Sequence, residues 1–143
     1  MIKELINQLK SEMKSFGEKP PQPADETSLK KVRKWVLNRF EGENFFNEYE
    51  EFLKVMNGFD YNGLIIYNSD INDENNGFIN ANTIWWENEE LENYVFFGDS
   101  DISWLCYDLK HKRFCELDKP SGDLIEVYTT YEQMLEEAIR NIL

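Results

Sequence analysis

Asp99 and Asp101 stand two residues apart in NYVFFGDSDISWLCYDL (93–109), inside a polar knot between two apolar runs. Carboxylates so paired can do acid/base work or hold a divalent cation. A calcium loop of the EF-hand kind needs a glycine at its sixth position and a glutamate at its twelfth. Counted from Asp99, those positions hold Trp104 and Lys110; counted from Asp70, they hold Asn75 and Ala81. Neither loop qualifies, and both lie where turns favour Asp and Asn. With 28 acidic residues in a chain of 143, close pairs also arise by chance.

The other groups capable of chemistry are few. His111, the single histidine, falls in LKHKR at the expected tip of a hairpin, with no evident carboxylate to orient it. No glycine-rich phosphate loop or HExxH pattern occurs. Two cysteines and one histidine do not make a usual zinc set. The expectation is a non-catalytic chain without a metal or cofactor. If Lys110 and His111 form the tip, Asp108 lies opposite Arg113, Tyr107 opposite Phe114 and Cys106 opposite Cys115. The two thiols are then expected to face each other unbonded, as small buried hydrophobes in a reducing compartment.

Trp85 and Trp86 are followed at once by Glu87, Glu89, Glu90 and Glu92. Adjacent rings cannot both point inward from one helix, so one is expected to be an exposed anchor beside concentrated charge. That is the composition of a protein-recognition site. In the plainer alternative one ring is buried and the other lies flat under Leu91. The candidate partner-binding residues are Trp85, Trp86, Glu87, Glu89, Glu90, Glu92, Asp99 and Asp101.

The charge balance points the same way. Net charge is −13, but residues 1–40 carry nine Lys/Arg against five Asp/Glu, while residues 41–143 carry six against 23. Between Lys54 and Lys110 there are eleven acids and no base. Such a field repels nucleic acid and anionic membrane and attracts basic proteins. It also keeps a small protein soluble, whatever it binds. A basic face at Lys30, Lys31, Arg33 and Lys34 lacks interleaved aromatics and reads as a solvated helix face.

The elements that must position these residues follow from periodicity. Ile2, Leu5, Ile6, Leu9, Met13 and Phe16 predict an amphipathic helix over 2–16. Gly17 and the prolines at 20, 21 and 23 predict an extended connector over 17–27. Thr27 or Ser28 is expected to cap a second helix over 29–40. Asn44 is expected to cap a third, with Phe45, Tyr49, Phe52, Leu53 and Met56 on one side and Asn57-Gly58 as its stop. A strand is expected at 63–67, a polar loop at 68–77 and a helix over 81–93. Strands follow at 94–98, 103–108, 112–117 and 124–128. A final helix is capped by Thr130 with Gln133, and Tyr131, Met134, Leu135, Ala138 and Ile142 form its buried stripe.

This order predicts an α+β fold: a central, mostly antiparallel sheet with N-terminal helices and a closing C-terminal helix. Residues 1–143 are expected to form one domain, with N-terminal helices in 1–40 and the core in 41–143. Without a long apolar run at the N-terminus, no signal peptide or membrane span is expected, and a cytoplasmic location follows.

Three stretches carry a family resemblance. FFNEYEEFLKVMNGFDYNGLIIY (45–67) resembles the signature region of the SUKH superfamily of SMI1/KNR4-like and YobK-like proteins. There a helix ends in an Asn-Gly stop and leads into the first strand. FFGDSDISWLCYDL (96–109) resembles its second signature, a strand ending in Phe-Gly, a polar turn and a strand ending in Tyr-Asp. YEQMLEEAIRNIL (131–143) resembles its terminal helix. The resemblance implies a binding domain without a catalytic centre, and many bacterial members look like immunity proteins or antitoxins. The partner so implied is a cognate toxin, in many cases a nuclease, with a basic surface; neither nucleic acid nor membrane is bound directly. A general regulatory interaction domain is the first alternative. A carboxylate-dependent hydrolase, which needs two acids of separated pKa in one pocket, is the second.

Overall fold

The computed structural model describes residues 2–143. It is an α+β fold built on a six-stranded, wholly antiparallel sheet whose strands follow one another in chain order. The strands are β1 (Phe59–Tyr61), β2 (Leu64–Ile66), β3 (Tyr94–Ser100), β4 (Ser103–Asp108), β5 (Arg113–Asp118) and β6 (Leu124–Tyr128). The helices are α1 (Ile2–Ser15), α2 (Glu26–Arg39), α3 (Asn47–Leu53), α4 (Phe78–Trp85) and α5 (Tyr131–Ile142), and a short 3-10 turn covers Glu89–Leu91.

Each amphipathic helix buries part of the stripe its spacing predicts, but Phe16 is exposed, and in α5 Ile139 takes the fully buried place expected of Ala138 and Ile142, which are half-buried. α1 buries Ile6, Leu9 and Met13, α2 buries Leu29, Val32 and Val36, and α5 buries Tyr131, Met134, Leu135 and Ile139. These join one core with the sheet, so the N-terminal helices are part of the same packed body. Thr130 caps α5 as expected, its Oγ1 accepting from Gln133 N at 3.1 Å, while Gln133 Oε1 reaches one residue past the cap and accepts from Thr129 N at 2.8 Å. The proline connector is docked rather than loose, since Ala24 N donates to Leu53 O and Asn57 N to Gln22 O, both at 2.9 Å.

Alternation along the strands divides the sheet into two faces. On the helix side, Phe97, Tyr107 and Phe114 pack among Phe45, Tyr49 and Tyr131. The opposite side presents Phe96, Trp104, Cys106, Cys115 and Leu117. A bulge at Phe97 shifts the β3–β4 register, after which Gly98 crosses so close to β2 that a Cβ would collide with the Ile65 carbonyl.

Several boundaries depart from the periodicity. The N-cap of α2 is Asp25, whose Oδ1 accepts from Ser28 N at 2.7 Å, in place of Thr27 or Ser28. Helix α3 starts at Asn47, not after Asn44, because Phe45 and Phe46 are drawn into the core as a turn. The expected helix over 81–93 is α4, which begins earlier, at buried Phe78, and ends at Trp85. Strand β1 precedes the first strand expected, at 63–67, and its signal is present in the sequence. Asn62 and Gly63 both have positive φ, 52° and 86°, as a tight primed hairpin turn demands, and Asn-Gly between apolar runs is its mark.

Candidate protein-recognition face

The face carrying the tryptophans and glutamates is positioned by a single amide. Strand β2 covers β3 only from Gly98 onward, with Tyr67 N reaching Phe97 O, so Phe96 has no strand neighbour on that side. Asn82 of α4 takes the place of one. Its Oδ1 accepts from Phe96 N at 2.7 Å, and its Nδ2 donates to Phe96 O at 2.9 Å and to Phe78 O at 2.8 Å. Asn82 is fully buried, and α4 is thereby pinned across the open edge.

Both tryptophans at the end of α4 are half-buried, which corrects the expectation of one exposed anchor. The helix ends at Trp85, so the rings can diverge while each finds a partner. Trp85 Nε1 donates to the Tyr67 hydroxyl at 2.9 Å, and its ring meets Trp104 edge-on with centroids 5.4 Å apart. Trp86 Nε1 donates to Tyr94 O at 2.7 Å. Its ring stacks on Trp35 of α2 at 5.7 Å and 12°, and the Arg39 guanidinium lies 4.4 Å from its centroid. Buried indole N–H groups require such acceptors, and the guanidinium adds cation–π attraction.

Beyond Trp86, Asn88 caps the 3-10 turn by accepting from Glu90 N at 3.1 Å, and buried Leu91 anchors it. Glu87, Glu89, Glu90 and Glu92 are left exposed. Beside them runs a groove of about 740 Å³ lined by Arg39, Phe40, Trp86, Glu87, Glu92 and Asn93, among others. Of the eight candidate residues, Glu87 and Glu92 border this groove, Glu89 and Glu90 are exposed on the adjoining 3-10 turn, and Trp86 supplies groove wall rather than a protruding ring.

Asp99 and Asp101 are separated by the fold. Asp101 is exposed in the β3–β4 turn. Asp99 is buried within β3, where Tyr67 OH donates to its Oδ2 and Lys119 Nζ lies 3.0 Å from its Oδ1. The expectation that Asp99 belongs to the turn or to a binding surface is corrected, because strand β3 extends to Ser100 and draws it in. Burial first, and then the neighbouring Asp99 carboxylate, push the Tyr67 phenol far above its ordinary value. With both oxygens engaged, Asp99 acts as a paired internal anion. Lys119 also lies 5.6 Å from the Trp85 centroid, tying this cluster to the end of α4.

His111 does have an orienting carboxylate. Its Nδ1 lies 2.8 Å from Asp108 Oδ2, and Asp108 Oδ1 accepts from the backbone N of Lys110 and of His111. Asp108 ends β4 three residues before His111, and the hairpin turn brings its carboxylate back to the ring. The same carboxylate orders the whole turn. Among the described residues, no three His, Cys, Asp or Glu side chains converge as a metal would need. No described helix is long and apolar enough to cross a membrane.

The chain matches no protein-family model and no curated protein.

Proposed function

We propose that this chain is a non-catalytic protein-binding domain of the immunity or antitoxin kind, acting in the cytoplasm on a cognate toxin with a basic surface. The observation that carries the reading is the group of exposed carboxylates at Glu87, Glu89, Glu90 and Glu92, of which Glu87 and Glu92 border the Trp86–Arg39 groove. No lysine or arginine occurs between Lys54 and Lys110 to offset it in sequence. The resemblance of 45–67, 96–109 and 131–143 to SUKH proteins supports the same reading. Exposed carboxylates on a rim steer encounter more than they hold the complex, while buried aromatic contacts govern release.

The test is co-expression with the product of the adjoining reading frame, followed by growth, complex isolation and binding kinetics. Protection from toxicity and a stable complex are expected. Reversing the charge at Glu87, Glu89, Glu90 and Glu92 should slow association about tenfold or more at low salt and change release little. If no complex forms and growth is not protected, the immunity reading falls. If a complex forms and the reversals alter neither rate, the binding face lies elsewhere.

A further inference from the structure

Strand β6 ends the sheet, and among the described residues nothing pairs with its outer edge. Its sequence, LIEVY, is unusual for an open edge: Leu124 and Ile125 are each 48 % exposed and Val127 41 %. A bulge at Ile125 sets Leu124 opposite Leu117 and Val127 opposite Cys115, so both lie on the face away from the helices. Natural edges of this kind are usually blunted by Lys, Pro or a covering element. This one carries only Glu126, whose Oε1 lies 3.3 Å from Val127 N.

The helix side of the same edge is acidic. Tyr128 stands opposite Phe114, and its hydroxyl lies 3.5 Å from Glu116 Oε1. Burial first, and then the Glu116, Glu126 and Glu137 carboxylates, push the Tyr128 phenol up to about 12. Three carboxylates therefore act on one tyrosine beside an unpaired strand.

We infer that the outer edge of β6 accepts an extended, basic segment of another polypeptide as a seventh strand, with apolar residues against Leu124, Ile125 and Val127 and a Lys or Arg facing Glu126. Strand addition supplies main-chain hydrogen bonds, and alternate side chains set the choice of partner. A second copy of this chain fits poorly. The antiparallel register that pairs the whole of β6 with itself sets Glu126 against Glu126, and like charges directly opposite destabilise a sheet. It would also bring together two chains that each carry −13. The surface is distinct from the 87–92 rim and does not depend on the identity of any toxin.

The probe is an end-blocked seven-residue peptide alternating lysine and valine, added to the isotopically labelled full chain. Amide shifts and protection from exchange should appear over residues 123–129. Ile125→Lys with Val127→Lys, both at exposed positions, should weaken binding about tenfold or more, equivalent to about 1.4 kcal/mol. Glu126→Lys should weaken it too. A glutamate–valine peptide, or the lysine–valine peptide N-methylated at alternate residues, should not bind. Equal binding by either control, shifts confined to other surfaces, or no binding at millimolar peptide would overturn the inference. So would a concentration-dependent dimer of the free chain through this edge, which would make the occupant a second copy.

Discussion

The side-chain amide of Asn82 pairs with both backbone groups of Phe96, accepting from its N at 2.7 Å and donating to its O at 2.9 Å. A side chain thus completes the stretch of β3 that β2 leaves open. Asn82→Leu would bury the Phe96 N–H and C=O without partners, and each such group costs about 1–3 kcal/mol. A loss on the order of 3 kcal/mol is expected in urea unfolding, with a red shift of tryptophan emission as Trp85 and Trp86 loosen. An unchanged midpoint and spectrum would show that α4 is held by other contacts.

Asp99 is the buried anion to which Tyr67 and Lys119 are tied. Removing one partner of a largely buried pair leaves the other charge uncompensated, at a cost of about 3–5 kcal/mol. Lys119 is 24 % exposed, so the lower end of that range is expected for Asp99→Asn. Asp101→Asn, in the exposed turn, should stay within about 0.5 kcal/mol of the parent. Equal effects at the two positions would contradict the burial difference.

Burial raises the phenols of Tyr49, Tyr67 and Tyr131 above the ordinary 10.0. Their unfolded-state pKa is then the lower one, so the stability they contribute is fully present below about pH 10 and is lost as pH rises above it toward the folded values. Tyrosinate absorbance at 295 nm should rise only partly in the folded chain and complete its rise together with loss of near-ultraviolet dichroism. A full titration near pH 10 with the fold intact would be inconsistent with this burial.

The Cys106 and Cys115 sulfurs lie 3.5 Å apart in a fully buried, directly opposed pair. Burial, followed by the neighbouring Cys115 thiol, pushes the Cys106 thiol well above its ordinary value. The thiolate is the reactive form. Alkylation at pH 8 should therefore be negligible in the folded protein and reach two adducts on unfolding. Rapid labelling without denaturant would show an accessible or mobile hairpin.

Trp86 contributes to stability through Trp35, Arg39 and the Tyr94 carbonyl. Trp86→Ala should cost about 3 kcal/mol or more by removing a large packed ring, and Arg39→Ala about 1 kcal/mol. Chemical unfolding of the two variants checks the order. An effect of Trp86→Ala on partner release alone, without destabilisation, would restore it as an exposed anchor.

Local rules carried much of the plan. Helical spacing marked α1, α2 and α5, and turn chemistry at Lys110 and His111 set the β4–β5 register, pairing Cys106 with Cys115 as observed. These features were legible because periodicity and tight turns depend on residues near in sequence. What was lost was non-local. Asp99 and Asp101 have the same chemistry two residues apart, and only strand pairing with Ile65 and Trp104 carries the first to Tyr67 and Lys119. Trp85 and Trp86 look like one exposed and one buried ring when read on a continuous helix. They become two half-buried rings because Asn82 pins α4 to Phe96, the helix ends, and acceptors from β2's end and β3 lie on either side. The glutamates at 87, 89, 90 and 92 remained exposed as charge alone requires, since desolvating them without partners would cost several kcal/mol each. Composition determined that this surface would be acidic; the tertiary structure decided which carboxylate left it.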